Sequence, residues 1–146
     1  MISKDLFPLV EPCCEAHGAQ LIDIVLRGKQ ARPVVEIFVD AEAGVTSDLC
    51  TAISRDVGKE LDVRDSFPQS YTLIVSSPGI ERPLKFAWQY RKHIGRTLAV
   101  KTTTDERVVV GKLTAALNEV IILHAGAEAR TISLDTIAEA TVKAPW

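Results

Sequence analysis

From Tyr71 to Leu84 the chain reads Tyr-Thr-Leu-Ile-Val-Ser-Ser-Pro-Gly-Ile-Glu-Arg-Pro-Leu, and no single helix or strand can run through it. Tyr71, Leu73 and Val75 alternate as in a strand. Pro78-Gly79 then imposes a tight turn, because proline fixes φ and glycine accepts positive φ. Pro83 restricts Arg82 to extended geometry. On these grounds Ser76, Ser77, Pro78, Gly79, Arg82 and Pro83 form a stiff connector. It predicts two domains, at 1–82 and 83–146.

The two sides differ in pattern. Leu6, Leu9, Val10, Cys13, Cys14 and His17 recur at helical spacing, with Gly18 as the stop. Pro8 and Pro12 leave open whether that helix begins near Pro8 with a kink or begins later. Leu21–Leu26 and Val34–Asp40 alternate as an antiparallel strand pair around a polar loop. Thr46 or Ser47 can cap a helix whose apolar face is Leu49, Cys50, Ile53, Val57 and Leu61. With the strand at Tyr71–Val75, the order is αββαβ, a two-layer unit of sheet plus helices. Beyond Pro83, Phe86–Ile94 is a short helix or turn. Five short β-rich runs follow, at 97–102, 107–113, 120–123, 130–134 and 137–142, which predict a small barrel of Sm or SH3 type. The fold class is therefore α+β.

The chain has 146 residues and a net charge of −2, but the charge is split. Residues 1–81 carry 7 Lys/Arg and 13 Asp/Glu, whereas 82–146 carry 10 and 6. An acidic first half suits a basic protein surface, and a basic second half suits an anionic partner. No apolar run reaches the ~18 residues needed to span a bilayer, and the first residues lack a signal-peptide pattern. The expected location is the cytoplasm, with no membrane partner.

Catalytic signatures are missing. Gly111-Lys112 is followed by Leu113, so there is no phosphate-binding loop. Cys13, Cys14 and Cys50 have no C-x-x-C spacing, and His17, His93 and His124 are scattered. The one candidate for chemistry is a thiolate–imidazole pair of Cys13 or Cys14 with His17, which requires a thiol pKa well below ~8.5. No metal, cofactor or small-molecule substrate is expected.

The Tyr71–Leu84 segment resembles the signature of the bacterial ribosome maturation factor RimP family. The likeness extends through Leu21–Ile24, Phe38–Asp40 with Gly44–Asp48, Leu61–Val63, and Ile94–Arg96. Glu81 stands where that family often has Asp, the loop at 103–106 is short, and the tail is Lys-Ala-Pro-Trp. The resemblance implies an N-terminal domain similar to KH-type folds and an Sm/SH3-like second domain. It implies a non-catalytic factor that binds the precursor of the small (30S) ribosomal subunit and assists folding and processing of its 16S rRNA. The implied contacts are that RNA and small-subunit ribosomal protein twelve. Residues 1–81 contain no G-x-x-G loop, so KH-style clamping of nucleotides is not expected.

Residues 82–101 hold the main candidate binding surface: Arg82, Lys85, Arg91, Lys92, Arg96 and Lys101, with no Asp or Glu. Lysine and arginine meet phosphates, and the interleaved Phe86, Trp88 and Tyr90 can stack on unpaired bases. Phe86 and Tyr90 are also four apart, which fits a buried helical stripe. Arg27, Lys29 and Arg32 make a secondary patch in the hairpin loop. The leading expectation is a monomeric assembly factor. The alternatives are an Sm-like RNA chaperone that binds small RNAs and a thiol-dependent enzyme.

Overall fold

A computed structural model describes residues 3–28, 32–64, 67, 70–79, 82–104 and 107–144. The chain forms two compact units, 1–78 and 79–146.

In the first unit a 3-10 turn over Ser3–Leu6 leads into α1 (Phe7–Glu15). The helix starts early. Pro8 falls in its first turn, where a missing N–H costs nothing, and the helix continues through Pro12. It ends at a turn where Gly18 takes φ +75°. Strands β1 (Gln20–Arg27) and β2 (Val34–Asp40) pair antiparallel, and α2 (Ser47–Val63) carries the chain over to β3 (Thr72–Ser76), parallel to β2. The helix begins where its cap requires: Thr46 Oγ1 accepts the Leu49 N–H at 3.1 Å. The αββαβ order is thus realised, with strands in the order β1-β2-β3. Val35, Ile37 and Val39 of β2 and Ile53, Val57 and Leu61 of α2 are buried together with Leu6, Val10 and Cys14. The periods of 2 and 3.6 put these residues on the facing sides of the two layers.

The second unit opens with the short helix α3 (Ala87–Arg91), followed by β4 (Thr97–Thr102), β5 (Val108–Ala116), β6 (Val120–Ala125), β7 (Glu128–Ser133) and β8 (Ile137–Val142). All neighbouring strands are antiparallel, in the order β7-β6-β5-β4-β8. The expected barrel needs correcting on one point. β7 and β8 do not pair among the described residues, so the sheet is not closed by hydrogen bonds. The 3-10 turn Leu134–Thr136 sends the chain away from β7, and β8 returns alongside β4. Among the described residues the second unit is therefore an open five-stranded antiparallel sheet. Its core is Tyr90, Leu98, Val100, Leu113, Ile121, Leu123, Ile132, Ala140 and Val142. Gly111 sits where β5 presses on β6. A Cβ there would lie 2.9 Å from the His124 carbonyl oxygen, so no larger residue fits without moving backbone.

Candidate nucleic-acid interface

The basic segment begins with a short helix that has an unusual cap. Phe86, at the N-cap, has extended backbone and no side-chain oxygen to offer. Gln89 takes over instead. Its Oε1 accepts the N–H of Lys85 at 2.7 Å and the N–H of Phe86 at 2.8 Å. The Phe86 N–H is one of the donors that a helix start leaves unpaired, and the Lys85 N–H belongs to the residue before the cap. The side chain that does this is only 1% exposed, so it locks the segment before the helix to the helix itself.

The aromatic residues separate accordingly. Tyr90 points into the core, and burial pushes its hydroxyl up to about 12. Phe86 lies outside the helix and does not share Tyr90's stripe. It stacks on Trp88 instead, ring centroids 5.8 Å apart and planes within 7°, a spacing usual for offset stacking. Lys85 Nζ lies 5.6 Å from the Phe86 centroid and Lys92 Nζ lies 5.4 Å from that of Trp88. Each ring therefore carries an ammonium, an attraction of about 0.5–1 kcal/mol at exposed sites. The rings hold cations in place.

The remaining cations spread along the sheet. Arg91 is exposed in the last turn of α3, and Arg82 is half-buried. Arg96 is exposed just before β4, where its carbonyl accepts the Leu113 N–H at 2.8 Å. Lys101, five residues on, is roughly 16 Å away at the ordinary strand rise and lies in register with Glu139 of β8. Of the six candidates, Lys85, Arg91, Lys92 and Arg96 thus lie on or beside α3 and just before β4, Arg82 precedes them in the chain, and Lys101 is apart beside a carboxylate.

Two cations escaped the sequence reading. Lys112 of β5 is in register with Thr97, and the Lys143 N–H donates to the Thr97 carbonyl at 2.9 Å. Thr97, Lys112 and Lys143 are all exposed. They form a row across β5, β4 and the residue after β8, next to Arg96. The residues are 15 and 46 positions from Thr97 in sequence, so only strand register could reveal the row.

The secondary patch is weaker. Arg27 Nε lies 3.3 Å from Glu36 Oε1, which offsets its charge. Arg32 is exposed, and Lys29 lies outside the described residues. In the connector, Ser76 ends β3, Ser77 is exposed, and Gly79 takes φ +69° as its Pro-Gly turn requires.

The thiols are not activated. Cys13 and Cys14 are buried, and His17 Nε2 is 2.7 Å from Asp56 Oδ2. Burial pushes the Cys14 thiol up to about 12, helped by Cys13, Glu11 and Glu15. Burial and the nearby carboxylates Glu60 and Asp56 also raise Cys13. A nucleophilic thiol needs the opposite shift.

Residues 9–81 match the model of the family described as RimP N-terminal domain, half of the chain's 146 residues. The chain belongs to the RimP family. This is a family of ribosome maturation factors, and the RimP match begins inside α1 and extends past the end of β3. The cation cluster around α3 lies outside the matched RimP segment, in the second unit.

Proposed function

We propose that this RimP-family chain is a non-catalytic assembly factor that binds the precursor of the small ribosomal subunit in the cytoplasm and assists folding and processing of its rRNA. The observation that carries this reading is the family match over residues 9–81. The ring-held cations of the second unit support an rRNA contact, and the acidic first unit supports a contact with a basic protein, for which small-subunit protein twelve is the candidate. The second unit would act as an Sm/SH3-like small barrel. Domain limits of 1–82 and 83–146 make Ser76–Pro83 the link between two binding modules. No cofactor is required.

A factor without a fuel-binding motif can act only by differential binding. It holds a precursor conformation more tightly than the mature one, and maturation releases it. Two linked modules raise avidity, because the second contact becomes intramolecular.

Co-sedimentation with small subunits, large subunits and whole ribosomes at two salt concentrations tests the reading. Selective migration with small subunits, weakened by salt and by Arg91→Ala/Lys92→Ala/Arg96→Ala, is expected. Equal migration with all three particles, or none with small subunits, contradicts it. Tight binding of naked small RNAs without subunit binding would favour an RNA chaperone.

A further inference from the structure

Proteins guard the open edges of their sheets, because unpaired backbone groups invite a further strand. Among the described residues, three of the four sheet edges follow that rule. The β1 edge has Asp23 and Arg27, and its register shifts between Leu21 and Asp23. The β7 edge has Glu128 and Arg130, and the β8 edge has Glu139. The fourth edge is β3, Thr-Leu-Ile-Val-Ser, with no charge, no proline and no bulge.

The direction of its free groups follows from one hydrogen bond. The Thr72 N–H donates to the Pro33 carbonyl at 2.9 Å, toward β2. Backbone groups alternate along a strand, so Leu73 and Val75 direct their N–H and C=O to the open side. Their side chains lie on the core face, in register with Val35 and Ile37, which are 0% exposed. Leu73 and Val75 are only half-buried. A groove of about 410 Å³ remains between them and Cys50, Thr51, Ser54 and Arg55 of α2. An unguarded edge beside a groove is the arrangement that accepts an added strand: main-chain bonds give affinity, and alternate side chains enter the groove.

We propose that the outer edge of β3 binds an extended basic polypeptide segment of a partner protein as a fourth strand, with its alternate apolar side chains in the α2–β3 groove. The occupant's charge follows from the surroundings. Residues 1–81 carry 13 Asp/Glu against 7 Lys/Arg, which attracts a basic segment and opposes a second copy of the same acidic unit. Arg55 in the groove wall excludes a cation from the buried positions, so the basic side chains belong on the alternate, outward positions. This inference does not depend on which particle the whole chain binds.

The test uses the full chain, labelled for amide detection, and a synthetic heptapeptide of alternating lysine and valine. The expected result is that the Leu73 and Val75 amides exchange about tenfold more slowly with peptide, while Thr72 and Ile74 change little. Binding weakens severalfold between about 50 and 200 mM salt. Val75→Pro removes only an outward N–H, a change tolerated at a strand edge, and weakens binding by about tenfold or more. Val75→Ala trims the side chain but keeps that amide, and stays within about threefold of the unchanged protein. Leu73→Pro tests the second outward amide should Val75→Pro unfold. The proposal is overturned if the peptide does not bind, if it binds without slowing these two amides, or if the proline variants bind as well as the parent. It is also overturned if the two amides are already slowed in peptide-free protein with increasing concentration, which would assign the edge to a second copy.

Discussion

Replacing Gln89 with methionine removes the acceptor that organises the basic segment and leaves shape nearly unchanged. Gln89 Oε1 accepts two backbone N–H groups at 2.7 and 2.8 Å from a position 1% exposed. A hydrogen bond of this kind contributes about 0.5–1.5 kcal/mol net, and a donor left buried and unpaired costs about 1–3 kcal/mol. Lys85 is exposed, so its N–H finds water when freed, whereas Phe86 is half-buried and its N–H does so less well. The sum is about 2 kcal/mol. For a unit of this size each kcal/mol shifts the midpoint by about 4–8 °C, so Gln89→Met should lower the second unit's Tm by about 10 °C. The assay is thermal unfolding followed by Trp88 fluorescence in a Trp146→Phe background, which leaves one tryptophan in the chain. In the folded variant, Trp88 emission should also change, because the stack on Phe86 depends on that turn. Small-subunit binding should weaken with it, since Lys85 and Lys92 lose their ring supports. A Tm within about 3 °C of the parent, with unchanged emission, would refute the claim that Gln89 holds the segment in place.

Further outcomes follow from other sites. Tyr90 has its pKa raised to about 12 by burial. A raised folded-state value means its contribution is complete below the unfolded value near 10 and is lost as pH climbs through 12. Burial and the Asp62 carboxylate also raise Tyr71, so absorbance at alkaline pH should show both tyrosines ionising late, with the step near 12 abolished by Tyr90→Phe; that variant should lose stability less steeply between pH 10 and 12. Cys13 and Cys14 should resist thiol reagents in the native protein and react at the rate of unfolding; fast reaction of either at neutral pH would restore the enzyme reading. Thr46→Ala removes the α2 cap and should destabilise the first unit by about 1 kcal/mol in denaturant titration. Gly111→Ala should destabilise the second unit well beyond the usual glycine-to-alanine change, since its Cβ meets the His124 backbone at 2.9 Å.

Much of the architecture was legible because local chemistry and tertiary packing agree in it. Thr46 caps α2 as its position suggests, and Ile53, Val57 and Leu61 are buried at the spacing that predicted them. The αββαβ order and the five later strands followed from periodicity alone. Proline penalties could not decide where α1 begins, since Pro12 sits inside a helix that packing sustains. Barrel closure was not legible either, because pairing between the outermost strands leaves no mark on the pattern within one strand. At the candidate interface, a linear window found the cations around α3 but overlooked Lys112 and Lys143, which join them through register. It also grouped Phe86 with Tyr90. Their four-residue spacing means a shared stripe only inside a helix, and Phe86 lies just outside one.

Action by differential binding without chemistry shows itself in the ratio of two dissociation constants. The full chain should be titrated against precursor small subunits and against mature small subunits under one salt condition. The account predicts at least tenfold tighter binding to the precursor, about 1.4 kcal/mol, with the preference reduced in Arg91→Ala/Lys92→Ala/Arg96→Ala. Equal affinity for the two particles would contradict it, because a factor that binds both states alike shifts neither.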